Sequence, residues 1–303
     1  MPGAAKRLDL RAVFLMIGLC SIWGIQQIAI KITGVAIPPL TQCALRSIGA
    51  TVLLLFWCRQ RGDALFNRDA SLLPGVAIAL LFSVEFALIF AGLSYTTASR
   101  GILFLYTAPF FVAACAPLFL AGERLRKQQW LGLIAAFGGI ASLFGDDGGN
   151  LRSDHWKGDL MMLGAAILWA ATTLTIKGSQ LQRISSNKVL FYQLAGSALL
   201  LPLFALALGE RPSLNWSSTA ALWMGYQTVM VGFISYIAWF WLIKHYSATR
   251  LSAFSFLTPL LGVLAGNLML REALTHAVLL ALVLVAGGIA VVNLSAGPPS
   301  PDP

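Results

Sequence analysis

Apolar residues run through this chain in blocks of about twenty, separated by short polar connections. At about 1.5 Å of rise per helical residue, such a block crosses roughly 30 Å of hydrocarbon. Backbone in lipid has to satisfy its own hydrogen bonds, so each block is expected to be a helix. The pattern predicts ten spans, at roughly 11–31, 38–57, 72–94, 98–121, 128–145, 157–178, 187–208, 218–243, 248–270 and 274–294. The expected fold is therefore an all-α integral membrane protein of ten transmembrane helices.

Those ten spans are two sets of five. Residues 95–141 read YTTASRGILFLYTAP, a run of small apolar residues, GER at 122–124 and GGIA at 138–141. Residues 246–290 repeat the scheme as YSATRLSAFSFLTP, an apolar run, Arg271–Glu272 and a second GGIA. Arg100 and Arg250 lie 150 apart, as do Pro109 and Pro259, while Glu123 and Glu272 lie 149 apart, as do Gly138 and Gly287. Five spans per half is an odd number, so the second half enters the membrane from the opposite side. The chain reads as two inverted-topology five-helix repeats, an arrangement many secondary transporters share. The first is expected over 11–145 and the second over 157–294, with 295–303 a disordered cytoplasmic tail.

Composition agrees. Hydrophobic residues make up 58% of the chain and charged ones 11%, with a mean hydropathy of +0.78; a soluble domain carries about 25% charged residues. The net charge of +9 is the product of basic loops, not a sign of nucleic acid. With the N-terminus inside, cytoplasmic loops and ends hold fourteen lysines and arginines against six outside, with Arg46 inside a span, the bias of the positive-inside rule. This predicts a multi-pass protein of the inner (plasma) membrane with both termini cytoplasmic. The first apolar run continues through Trp23 to Ile30, too long for the core of a signal peptide, and reads as a retained span. The four cysteines are scattered in predicted spans with no metal-ligand spacing.

Trp23 is followed eight residues later by Lys31, and Trp169 by Lys177. The lysines fall at span ends, where they snorkel to the interface. The tryptophans lie about twelve residues deep, away from the interfacial belt, and an indole N–H there needs a partner. The WG-x6-K run from Trp23 to Lys31, the PP-x6-R run from Pro38 to Arg46, the YTTA turn at 95–98 and the GER–GGIA pairing resemble the drug/metabolite transporter superfamily, in its EamA-like branch. The resemblance spans both halves. It implies export of small solutes and leaves the solute open, since members carry amino acids, metabolites and drugs. The second half departs from the pattern with Trp169-Ala170 in place of WG and Gln193 near where an arginine would match Arg46.

Pro109 and Pro259 sit mid-span at matched places. Each removes a backbone donor and frees the carbonyl four residues earlier, on Leu105 and Ser255, which predicts paired kinks. Gly101, Ala113 and Ala114 on one side, and Ala253, Gly262 and Gly266 on the other, would let the two helices approach closely. Glu85 lies about fourteen residues into the third span, the one carboxylate read as well inside a span. A charge there costs roughly 2.5–3.5 kcal/mol. At about 1.5 Å per residue, Glu85 and Arg46 reach similar depths from opposite sides. They are expected either to pair or to serve a solute amine or a coupling proton. Tyr106, Trp169, Tyr192, Gln193, Tyr236 and Trp239, with Trp23, complete the candidate cavity, suited to flat or cationic solutes through stacking and cation–π contact.

The three histidines fall at loops or span ends, and no nucleophile–base pair, Walker-type loop or ligand cluster is present in the sequence. An enzyme, a catalytic residue, a metal and a cofactor are not expected. The reading is a secondary transporter exporting small amphipathic metabolites, amino acids or related compounds, by alternating access; multidrug efflux of organic cations is the alternative, and a passive channel or structural protein the competing class. The expected partners are a small-molecule substrate and the bilayer, with a proton as candidate coupling ion; monomer and homodimer both fit.

Overall fold

Asp9 starts the first helix by accepting the Ala12 N–H at 2.8 Å, satisfying one of the donors a helix start leaves unpaired. Thr97, Ser185, Ser217 and Thr275 do the same at later starts. Pro38 and Pro39 open the second helix, where a missing N–H costs nothing. Gly62, at φ 70°, closes it in the left-handed conformation that glycine adopts freely. That cap lies past the predicted end at 57, so the helix runs to Arg61.

The computed structural model describes residues 9–67, 69–119, 127–146, 154–211, 216–245 and 257–295. They form ten helical spans. α1 is Leu10–Gly34, α2 Pro39–Arg61, α3 Leu72–Gly92, α4 Ala98–Phe119, α5 Lys127–Asp146, α6 His155–Lys177 and α7 Ser186–Ala207. α8 runs through three pieces, Ser218–Gly225, a π-helical Tyr226–Ser235 and Tyr236–His245. α9 is Leu257–Leu270 and α10 His276–Ser295. Seven spans are long and apolar enough to cross a membrane on their own, and α5, α9 and α10 contribute shorter apolar stretches. Helix for helix this is the predicted architecture. The tail beyond 295, Gly122–Arg124 and the YSATR segment with Arg250, Ala253 and Phe256 lie outside the described residues.

Neighbour relations obey an exchange rule. Number each helix against the one five later: α2–α7, α4–α9 and α5–α10 pack as self-matched pairs. The contact α1–α9 is matched by α6–α4, α1–α8 by α6–α3, and α3–α7 by α8–α2. Two equivalent halves around a pseudo-two-fold axis produce this set. Outward faces stay as apolar as the core, with Phe14, Phe56, Leu80, Leu203, Leu222 and Val283 exposed where lipid would lie. Packing inside therefore relies on close fit more than on hydrophobic contrast. A Cβ on Gly262 would stand 2.3 Å from Ile102 of α4 and 3.3 Å from the Gly24 carbonyl of α1, so α1, α4 and α9 meet there only because Gly24 and Gly262 carry no side chain.

Polar staples hold the two faces. On the face opposite the N-terminus, Lys31 donates to the carbonyls of Thr96 (2.6 Å) and Leu93 (3.1 Å), tying α1 to the α3–α4 turn. Glu210 accepts from the N–H groups of Leu40 and Thr41 at the start of α2. Glu272 accepts from Ala98 N (2.7 Å), Ser99 N (2.9 Å) and Ser99 Oγ (2.6 Å), so the end of α9 caps α4. Arg271 beside it holds φ 55°, a left-handed conformation costly for a residue with a Cβ; that turn delivers Glu272 to the helix start. On the N-terminal face, Lys188 of α7 reaches the Asp69 carboxylate and the Asn67 carbonyl, both at 2.8 Å. Asp69 is held down to about 2, first by that Lys188 bond and then by Ser71.

Candidate functional site

The buried face of α2 carries Cys43, Arg46, Ser47, Ala50 and Leu54 at three- and four-residue spacing. This turns Arg46 inward at the eighth residue of the helix. It is 1% exposed, and its Nε and both terminal nitrogens have no hydrogen-bond partner among the described residues. Its guanidinium carbon lies over aromatic rings of α3, 4.1 Å from the centre of Phe86 and 5.8 Å from that of Phe90. Glu85, next to Phe86, is 5% exposed, and its Oε2 is buried without a donor. No hydrogen bond joins Arg46 to Glu85, although each charge lies in the other's field. The mutual pairing offered as one expectation is therefore not the arrangement found.

α8 closes on this pair through its π-helical piece. A wider helical turn re-aims side chains, and such segments gather at functional sites. Gly232 brings its backbone against α2: a Cβ there would stand 3.0 Å from Ala50 and 3.7 Å from the Arg46 Nε. On the other flank, Tyr226 donates to the Ile22 carbonyl at 2.8 Å and Gln227 to Thr33 at 3.1 Å, both on α1. Ser235 accepts the Trp23 indole N–H at 3.0 Å and donates to the Val231 carbonyl at 2.7 Å. The deep tryptophan of the first repeat has found its partner on the second. Tyr236 follows, within the field of both Arg46 and Glu85, yet it makes no well-aligned hydrogen bond to the guanidinium.

Aromatic pairs extend the site. Trp23 meets Trp239 edge to face at 5.6 Å, and Tyr106 meets Trp169 the same way at 5.6 Å. Tyr106 stands where α4 breaks, between Ala98–Leu105 and Ala108–Phe119. Pro109 supplies no N–H to Leu105, and the turn is held by tighter bonds from Thr107 N to the Phe104 carbonyl and from Phe110 N to the Thr107 carbonyl. The expected kink is present. Its counterpart is not testable in the same way: Pro259 lies in the first turn of the described α9, and Ser255 falls outside the described residues. The Tyr106 hydroxyl lies close to Thr258, Cys20 and Tyr236, which joins α1, α4, α8 and α9 to the Arg46–Glu85 region.

Of the residues singled out in the sequence, Arg46, Glu85 and Tyr106 are buried and Trp23, Trp169, Tyr236 and Trp239 half-buried, and the contacts above link them at mid-height across both repeats. Gln193 is buried on α7, also at the eighth residue of its helix, as Arg46 is on α2. Tyr192 stands elsewhere. Its hydroxyl meets Ser71 at 3.0 Å, and its ring packs by Gly75, Ile78 and Val189 near the N-terminal face. A surface groove lined by Leu73, Pro74, Gly178, Gln182 and Arg183 also lies at that face and touches none of the central groups. Among the described residues no cluster of histidine, cysteine and carboxylate could hold a metal ion.

Sequence reasoning missed Ser235, Phe86 and the π-helical turn. It also missed a second buried carboxylate. Asp159, fully buried in the second turn of α6, accepts from Arg100 Nε at 3.1 Å and Thr96 Oγ1 at 2.6 Å. Glu85 is therefore not alone as a buried acid. The YTTASR motif, which supplies both Thr96 and Arg100, was the available signal.

The profile of the EamA-like transporter family matches residues 10–145 and again 156–294. The chain belongs to the EamA-like transporter family. This places it in the drug/metabolite transporter superfamily, as the motifs suggested, and makes it a membrane transporter for a small molecule and not an enzyme. It is 26% identical to the "uncharacterized transporter YoaV" of Bacillus subtilis (strain 168), over 91% of this chain and 96% of that one. It is 25% identical to the "uncharacterized inner membrane transporter YedA" of Escherichia coli (strain K12), over 92% and 89%. A "probable amino-acid metabolite efflux pump" of the same organism is 25% identical over 88% of this chain and 90% of its own. A solved crystal structure, 21% identical, matches 95% of this chain and 98% of its own with a TM-score of 0.69; at that identity it speaks for the fold alone. The EamA-like fold thus accounts for all ten helices.

Proposed function

We propose that this transporter exports small amphipathic metabolites, amino acids and related compounds first among them, across the inner membrane by alternating access. The observation that carries the reading is a buried, charged and aromatic region shared by the two inverted halves. In transporters of this plan, solute sites lie near the midplane at the repeat interface, beside interrupted helices. Here the broken α4 and the π-helical α8 flank Arg46, Glu85, Tyr106 and Tyr236. Relatives named as probable amino-acid metabolite efflux pumps support amino acids as the first class to test.

Arg46 and Glu85 are buried at 1% and 5% exposure, so solute access requires the helices around them to part, and release on the far face requires the Glu272 and Lys31 staples to open. A proton on Glu85 is the proposed coupling ion.

Efflux of organic cations is the second reading, favoured by the edge-to-face pairs Trp23–Trp239 and Tyr106–Trp169 beside a carboxylate. Purified protein in liposomes, challenged with radiolabelled amino acids and with organic cations, separates the two. Saturable amino-acid uptake with counterflow supports the first. Movement of cations alone supports the second, and non-saturable flux without counterflow would indicate a pore.

A further inference from the structure

Arg46 presents a chemical question that the fold does not answer. A buried guanidinium ordinarily spends its donors on carboxylates or carbonyls, because leaving them unmade costs more than for a neutral group. Arg46 spends none among the described residues: all three nitrogens are without partners at 1% exposure. The guanidinium carbon lies over the rings of Phe86 and Phe90. A cation–π contact consumes none of the N–H donors, and the fork they form matches a carboxylate in two-pronged geometry.

The nearest acid does not fill the fork. Glu85 makes no hydrogen bond to Arg46, and its own Oε2 lacks a donor. Tyr236 lies beside both groups, near enough to the guanidinium for a loose polar contact but without a well-aligned hydrogen bond to it. Two opposite charges are thus held near each other by α2 and α3, each with unspent bonding capacity. A molecule with a carboxylate at one end and an ammonium close by supplies what both lack.

We propose that Arg46 is the carboxylate-binding group of the transport site, and that the solute is an α-amino acid held with its carboxylate on the guanidinium edge and its ammonium toward Glu85. The proposal rests on the transport reading above and narrows it to zwitterions. Gly232 fits this role, since a side chain there would crowd Ala50 and press toward the Nε edge. So does Phe86, whose ring packs on the guanidinium without taking any of its donors.

The test uses the purified full chain in lipid nanodiscs. Each of the twenty standard L-amino acids is titrated in turn, and the one bound most tightly is compared with its own carboxamide. The wild type is expected to prefer the acid by roughly 10- to 100-fold, the scale of one charge-assisted pair. Arg46→Gln is expected to bind acid and amide alike, and Arg46→Lys to keep part of the preference. Arg46 makes no well-aligned hydrogen bond among the described residues, so these variants should fold; if Arg46→Gln does not, the acid-to-amide ratio of the wild type decides by itself. Equal binding of acid and amide by the wild type, or an undiminished preference in Arg46→Gln, overturns the assignment while leaving amino-acid export standing. Binding of tetraphenylphosphonium with no response to any amino acid overturns both.

Discussion

Arg100 and Asp159, 59 residues apart and on different repeats, form a buried ion pair, with Nε 3.1 Å and a terminal nitrogen 2.5 Å from the same carboxylate oxygen. Thr96 completes the shell of Asp159 from one side, and the Thr97 hydroxyl accepts the Arg100 backbone N–H. The pair therefore fixes the start of α4 against α6 on the face opposite the N-terminus.

Breaking that pair should be costly. Asp159→Leu leaves the Arg100 charge buried and uncompensated, a change that destabilises by roughly 3–5 kcal/mol. The expected result is poor yield and a lowered thermal unfolding midpoint in detergent. Combining Asp159→Leu with Arg100→Leu removes both charges and should recover most of the loss, since apolar replacement of a whole buried pair is often close to neutral. A double variant as unstable as the single one would show that Asp159 matters through Thr96 instead.

Sequence and structure agree most fully where the information is local or periodic. Span lengths, the duplication and the Pro109 break follow from backbone hydrogen bonding and from landmarks in register, none of which needs knowledge of neighbours. The site was legible in part. Trp23 stood out because an indole at that depth needs an acceptor, but the acceptor, Ser235, is 212 residues away, and only packing reveals it. Arg100 was read as a landmark of the repeat and Asp159 was not singled out, because one-dimensional depth does not show which helices adjoin. The π-helical turn of α8 left no mark in composition. What accompanies it is tertiary: Tyr226 and Gln227 within the turn reach carbonyl and hydroxyl oxygens of α1.

The Asp69–Lys188 contact gives a pH-dependent prediction with a definite sign. Asp69 is held at about 2, below the roughly 3.9 of an unperturbed aspartate. Its contribution is therefore complete above about pH 4 and is lost as pH falls toward about 2. The wild type should melt above Asp69→Asn by a constant margin from about pH 5 to 8, and the margin should close between about pH 4 and 2. A margin unchanged at the acid end would mean that Asp69 acts only through uncharged hydrogen bonds.

The proposed orientation rests on fourteen basic residues against six. Reporter fusions at about residues 65 and 297 should read cytoplasmic, and one at about residue 150 should read periplasmic. Residues 65 and 297 on opposite sides would contradict the even number of crossings, α3 through α10, that lies between them.

Glu85 separates a structural acid from a working one. Had it been the fixed partner of Arg46, Glu85→Gln would strand a buried arginine and cost roughly 3–5 kcal/mol. No hydrogen bond joins the two, so Glu85→Gln should express and melt like the wild type. Its effect should appear in transport. If Glu85 carries the coupling proton, the variant loses accumulation against a gradient but keeps counterflow, because exchange needs no net driving ion. If Glu85 serves only as the ammonium contact, accumulation and counterflow fall together, with weaker binding of the amino acid. Concentrative export at wild-type rate by a well-folded Glu85→Gln protein would remove the residue from both roles.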